Sequence, residues 1–461
     1  MGNELKKKYG LPTAIAMVVG IVIGSGVFFK AEAILNKTGG DMGMGVLAWI
    51  IGGLIMIACS CAFAVMATKY EYVNGIVDYA DVTVGKTYGY YVGWFMAIIY
   101  TPTLTSVLAW VSARYLCVLL NLDIVGPECM TIAFFFLVAN YALNALSPKL
   151  GGKFQVTTTV IKLIPLVLMA IVGTIVGLVN GMTVQNLTSA AVQAVDGNPL
   201  FAAIVATAFA YEGWIIATSI NAELRDAKKN LPKALLIGAA IIMAIYVLYY
   251  IGIAGAVDKT VMMASGQEGA KTAFSTIFSN IGGTILFVFI IVSCLGTLNG
   301  LMMGCTRGFY SLAARNVGPR PDVFRQVDAQ TNMPTNSSIA GILLAAFWLL
   351  YFYGANLTAP WFGKFSFDTS ELPIVTIYGA YIPMFIMFMK KEKDMPPFRR
   401  YVLPALALIG SAFMVYAAFW AHGVNVDTNP ANWPIIYYLI TFVVIMAIGI
   451  PFAKPKPEAK K

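Results

Sequence analysis

The sequence predicts an all-α polytopic membrane protein, and three observations carry that prediction. First, the residues AVILMFWYC make up 59% of the chain and charged residues only 11%, against roughly 25% charged in a soluble domain; mean hydropathy is +0.76. Second, the apolar residues fall into twelve runs, each long enough at about 20 residues to cross a bilayer core. Third, two of these runs are interrupted in the middle, at corresponding places in two halves of the chain.

The runs, called segments 1 to 12, cover about 11–35, 44–68, 88–116, 127–147, 154–180, 199–222, 233–257, 280–312, 336–354, 370–390, 400–421 and 433–453. The N-terminus 1–9 is short, and segment 1 is too long for the apolar region of a cleaved signal peptide. An even number of segments places both termini on one side. With that side cytoplasmic, inner stretches hold 24 of the 31 Lys and Arg, among them Lys6, Lys7, Lys8, Lys228, Lys229, Lys390, Lys391, Arg399 and Arg400. Outer stretches hold six: Lys30, Lys37, Arg114, Lys259, Lys271 and Lys364. This bias follows the positive-inside rule. The net charge of +9 therefore reflects topology, and no nucleic-acid partner is expected; the lipid bilayer is the surrounding partner.

Segment 1 is broken by Gly24-Ser25-Gly26. A bilayer core has no water for freed backbone groups, so unwound backbone is tolerated only where it is buried in protein or lines a cavity. N–H groups at a half-helix N-terminus favour an anion such as a carboxylate, and Ser25 adds a hydroxyl. Carbonyls freed around Val22 and Ile23 favour a cation. Segment 6 is broken at Glu212-Gly213, which frees further carbonyls over Phe209, Ala210, Tyr211 and Glu212. N–H groups on one side and carbonyls on the other fit a zwitterion, that is, an α-amino acid. The alternative is close helix packing at Gly20 and Gly24, as in other small-residue stripes; the paired break in segment 6 favours the site.

Segment 5 carries Lys162, the one basic residue counted with neither the inner nor the outer stretches. A lysine there costs roughly 2.5–3.5 kcal/mol on insertion scales, so it should face a partner; snorkelling to the inner interface is the alternative. Segment 8 contributes Ser293, Thr297 and Asn299, the last a candidate for hydrogen bonding between helices. Glu223, Arg225 and Arg307 are expected in inner-face salt bridges. His422, the only histidine, falls at an outer membrane edge and reads as an interfacial residue rather than a catalyst or metal ligand. Cys117 and Cys129 flank the outer connection between segments 3 and 4, and spacing alone leaves a disulfide between them open. No CxxC, HExxH or Walker pattern occurs, so no cofactor and no metal is expected.

Five motifs now bear on the family. Val19–Phe28 (VGIVIGSGVF), Phe209–Trp214 (FAYEGW), Asn221–Ala234 (NAELRDAKKNLPKA), Thr158–Pro165 (TTVIKLIP) and Ser293–Gly300 (SCLGTLNG) resemble the amino acid–polyamine–organocation (APC) superfamily. Within it they are most similar to the L-amino-acid-transporter (LAT) branch, which includes bacterial serine/threonine and alanine/serine/cysteine exchangers. The resemblance implies five-plus-five inverted repeats, about 11–180 and 199–390, in one transmembrane domain over 1–461, with segments 11 and 12 following. It implies that Ser25 and Gly26 bind the substrate carboxylate, with Gly24 opening the turn. Carbonyls of Val22, Phe209 and Glu212 would take the amino group, and Phe209 would be the outer gate. Lys162 would stand where related carriers hold sodium, tying segment 1 to segment 8 near Ser293 and Thr297. Tyr246 in segment 7 matches a tyrosine near the unwound part of segment 1, and Tyr100, Thr101 and Pro102 would line the pocket. Glu212 stands where relatives often have Asp or Gly.

The expected function is sodium-independent exchange of small neutral L-amino acids such as alanine, serine, cysteine or threonine by alternating access. Proton-coupled symport, with Lys162 or Glu212 titrating, is the alternative. An enzyme would need a cluster of catalytic groups at membrane depth, and there is none. Animal relatives pair with a single-span glycoprotein; the compact termini here suggest a protein that works in the cell membrane without that heavy subunit.

Overall fold

The computed structural model describes residues 10–70, 75–217, 224–265, 268–331 and 333–455. Lys6, Lys7 and Lys8, the tail from 456, Glu223 and the Asn221–Glu223 start of the inner motif lie outside the described residues. The described chain is helical, with no β-strand among its elements. Among the described residues, ten helices are long and apolar enough to cross a membrane: Met42–Lys69, Lys86–Leu120, Pro127–Leu146, Lys153–Val179, Lys228–Ala256, Glu268–Ala313, Thr335–Ala355, Leu372–Lys391, Phe398–Val424 and Pro434–Phe452. These fall on segments 2–5 and 7–12. Segments 1 and 6 appear instead as shorter helices, because each is interrupted: Leu11–Val22 then Gly26–Lys37, and Pro199–Ala210 then Trp214–Ala217.

The helix starts follow local chemistry. Asp41 caps Met42–Lys69 by accepting from the Met44 N–H at 2.8 Å, and Asn198 caps Pro199–Ala210 by accepting from the Phe201 N–H at 3.1 Å. Each side chain satisfies a donor that the first turn leaves without a partner. Several helices carry Pro in the first turn, where its missing N–H costs nothing. Segment 8 has a kink at Phe278 and Ser279, the latter at φ 65°, so the continuous helix begins at 280, as expected. The connections after segments 5 and 7 hold short helices at Met182–Thr188 and Lys259–Ser265.

Packing divides the molecule. The inner half of segment 1 lies on segment 7 and its outer half on segment 6, with segment 2 covering both 6 and 7; segments 3, 4, 8 and 9 pack on one another; segment 5 touches both groups. Segment 10 packs on 11, and segment 11 on 2. Segment 12 is peripheral: only Ile435 and Tyr438 of its helix Pro434–Ile448 are buried. Asn299 does join helices, as expected. It accepts from Asn144 at 2.8 Å and donates to Gln155 at 3.0 Å, which links segments 4, 5 and 8. Cys117 and Cys129 are free thiols. Arg225 and Arg307 form no ion pair among the described residues; both are exposed, where water competes with any partner.

Candidate substrate site

The two breaks lie against each other. Segment 1 unwinds over Ile23–Ser25, so Gly26 is already the first residue of the outer half-helix. Segment 6 unwinds over Tyr211–Gly213, with Gly213 at φ 104°. A Cβ on Gly26 would fall 2.6 Å from the Cα of Ala210. Two backbones approach this closely only if a side chain is missing, which is why glycine stands there. A Cβ on Gly24 would meet the Thr297 hydroxyl at 2.6 Å, which sets the same turn against segment 8.

Tyr246 joins the breaks. Its hydroxyl is 3.2 Å from the Val22 carbonyl and 3.1 Å from the Ala210 carbonyl, and the side chain is fully buried. A phenol has a single O–H, so it donates to one of these oxygens at a time or shares its proton between them, and each carbonyl keeps a lone pair to spare. Four of the buried polar side chains around the breaks have no hydrogen-bond partner: Ser25 Oγ, Ser293 Oγ, Trp214 Nε1 and both carboxylate oxygens of Glu212. Such groups are costly when buried unless something fills the space between them. The Tyr100 hydroxyl is a neighbour of the Glu212 carboxylate, close but outside hydrogen-bond geometry. Tyr378 and Tyr381 of segment 10 stand around the same carboxylate.

Segment 3 is shaped to bring Tyr100 there. Pro102 has no N–H, so the carbonyl of Ile98 four residues back loses its helical donor. The Trp348 indole donates to that oxygen instead, at 2.9 Å. The helix widens to a π-turn over Met96–Tyr100, a form common at functional sites. The sequence marks the proline, but the donor from segment 9 has no local signal.

Lys162 is buried at 2% exposure and does not snorkel. Its ammonium donates to the Gly20 carbonyl at 2.5 Å, one turn before the break. The tie to segment 1 is therefore present. The contact to segment 8 is made by Thr158, whose side chain packs on Gly296, while Thr297 donates to the Ser293 carbonyl at 3.0 Å. Phe209 stands above the breaks, with its ring edge-on to Phe29 at 5.8 Å. His422 departs from the interfacial reading: it is buried, with Nε2 3.0 Å from Glu371 Oε2. The partner Glu371 is remote in sequence and could not be read from it.

The arrangement offers helix N–H groups and hydroxyls on one side and carbonyls with a carboxylate on the other, which suits a ligand carrying both charges. Comparisons with known proteins identify relatives of the chain. The family model described as amino acid permease matches residues 9–447. A serine/threonine exchanger of Bacillus subtilis (strain 168) is 28% identical over 447 residues, 94% of this chain and 97% of that protein. The human b(0,+)-type amino acid transporter 1 is 25% identical, with 90% and 83% covered. The human large neutral amino acids transporter small subunit 2 is 24% identical, with 99% and 83% covered.

Proposed function

The chain belongs to the amino acid permease family and is an amino acid transporter of the membrane; on that premise we propose that it exchanges small neutral L-amino acids, independently of sodium, by alternating access. The observation that carries this reading is the apposition of the two breaks, with Gly26 against Ala210 and Tyr246 spanning Val22 and Ala210. The N–H groups of Gly24, Ser25 and Gly26 hold the carboxylate. Carbonyls of Val22, Phe209 and Glu212, together with the Glu212 carboxylate, receive the amino group. Ile23, Ala210 and Tyr211 shape the backbone of the pocket. Lys162 fixes segment 1 through Gly20 and leaves no place for sodium; Ser293 and Thr297 line the same side.

The architecture we propose is twelve transmembrane segments, with 1–5 and 6–10 as inverted repeats and both termini cytoplasmic. A single chain suffices, without a heavy subunit. Counterflow in proteoliposomes tests the function. Labelled alanine or serine should enter much faster into vesicles preloaded with unlabelled amino acid, without sodium. Equal entry into empty vesicles, driven by an inward proton gradient, would support proton symport instead. One observation favours that second reading: the Glu212 carboxylate is buried without a hydrogen-bond partner and so is a group that could carry a proton.

A further inference from the structure

A second set of charges lies beyond Phe209, on the side proposed to face outward. Lys30, on the outer half-helix of segment 1, is 2% exposed, and Glu371, at the start of segment 10, is 1% exposed. Their ion pair is 2.7 Å long. Lys30 also donates to Ser370 Oγ at 3.0 Å, and Ser370 donates to Asp368 at 2.6 Å. Lys37, about two turns further along the same face of that half-helix, donates to both Glu371 oxygens at 2.9 and 2.8 Å. His422 of segment 11 completes the ring around the carboxylate. The Lys30 ammonium is also 5.1 Å from the Phe29 ring centre and 5.5 Å from that of Phe209, within the range of a cation–π contact.

One ammonium thus touches the aromatic pair over the substrate site and a carboxylate on another part of the molecule. Segments 1 and 6 carry the breaks, and segments 10 and 11 carry Glu371 and His422. The aromatic rings alone are an apolar contact without direction. The ion pair gives it a fixed position, because the buried Lys30 ammonium is strongly disfavoured without Glu371, while Glu371 is held in place by Lys37 and His422 as well. Opening on this side must separate Lys30 from Glu371 or carry both along.

We propose that the Lys30–Glu371 pair is the outer latch of this transporter, and that Lys30 is a positioning residue that holds Phe209 and Phe29 closed over the substrate site. The proposal rests on the reading of the two breaks as that site. It concerns the balance between outward-open and closed states, not affinity of the site itself.

A native thiol reports on that balance. Cys294 of segment 8 is buried beside the Ser25 side chain, at the break that Phe209 is proposed to cover. Modification of Cys294 by a membrane-impermeant thiol reagent, read by peptide mass, measures access from one side. Glu371→Gln and Lys30→Met should each raise the external rate at least about tenfold and lower the rate from the inner side. Glu371→Asp should restore most of the parent behaviour. General loosening of the fold would raise both rates together and would overturn the latch. So would unchanged rates in variants that still bind alanine, leaving the substrate reading intact. If Cys294 access shifts as expected but alanine neither binds nor protects it, even in the parent protein, the latch stands and the substrate reading fails. Should the single variants fail to fold, Lys30→Met/Glu371→Met removes both charges together, and the same two rates decide.

Discussion

Lys162, Gly26 and Gly24 make separable demands on the same few ångströms of backbone. The Lys162 ammonium holds the Gly20 carbonyl, and a hydrogen bond to a charged group contributes roughly 1.5–3 kcal/mol. Lys162→Ala should therefore lower uptake by about tenfold or more while uptake stays indifferent to sodium. Lys162→Arg should also be poor, because a planar guanidinium is larger than an ammonium. Uptake equal to the parent would remove Lys162 from the mechanism. Gly26 faces backbone at 2.6 Å, whereas Gly24 faces a side-chain hydroxyl at the same distance. Backbone cannot rotate away and a threonine can be trimmed. Gly26→Ala should thus abolish alanine binding in a protein that still inserts, and no single change in segment 6 side chains should restore it. Gly24→Ala should be rescued in large part by Thr297→Ala, a coupling that a double-mutant cycle measures. Additive losses in that cycle would mean that the Gly24–Thr297 contact does not set the turn.

At the scale of elements, the broken helices were legible because an interrupted apolar run is a local signal. Gly24 and Gly213 mark the breaks to within a residue or two. Long-range partners were not legible. Lys30 and Glu371 stand 341 residues apart, and in sequence Lys30 reads as one more outer charge and His422 as an interfacial ring. Nothing near Pro102 says that Trp348 will supply the missing donor. Tyr246 was readable only through the resemblance; its physical task, joining segments 1 and 6, needs the fold. Tyr246→Phe keeps the ring and removes the hydroxyl, so about 1 kcal/mol, roughly fivefold in apparent alanine affinity, should be lost. An unchanged affinity would show that the two breaks hold each other without it. The inner face offers a contrast. Lys69 pairs with Asp394 at 2.6 Å, and its hydrogen bond holds the Asp394 carboxyl below the usual 3.8. A depressed carboxylate contributes above its unfolded pKa and loses the contribution as pH falls through the folded value. The contact is thus intact at neutral pH, but Asp394 is exposed and water and salt screen it. Asp394→Asn should leave uptake at pH 7 within about twofold. A larger fall would give this exposed pair a part in gating.

For the whole molecule, the basic residues predict more than a count. The uneven spread of basic residues over alternate connections is legible in the sequence, but the fate of the lysines expected outside is not, because burial is decided by packing. Lys30 is 2% and Lys259 5% exposed; Lys37 and Arg114 are half-buried. Lys259 is also held by the carbonyls of Ser189 and Ala190 at 3.0 and 2.6 Å. Lys364 is exposed, in the connection before segment 10, and Lys271 is half-buried on a helix. On the side proposed to be cytoplasmic, Lys86, Lys228, Lys229, Lys233, Arg320, Arg325, Lys393 and Arg399 are all exposed. The two faces therefore differ sharply as trypsin substrates, since cleavage needs an accessible and locally unfolded basic residue. In sealed right-side-out vesicles, external trypsin should cut at Lys364, slowly at Lys271, and nowhere else. After the vesicles are opened, cuts should appear at Lys228, Lys229, Arg325, Lys393 and Arg399, but not at Arg320, which precedes Pro321. The same sites cut from outside in sealed vesicles would reverse the topology, and with it the assignment of Phe209, Lys30 and Glu371 to the outward path.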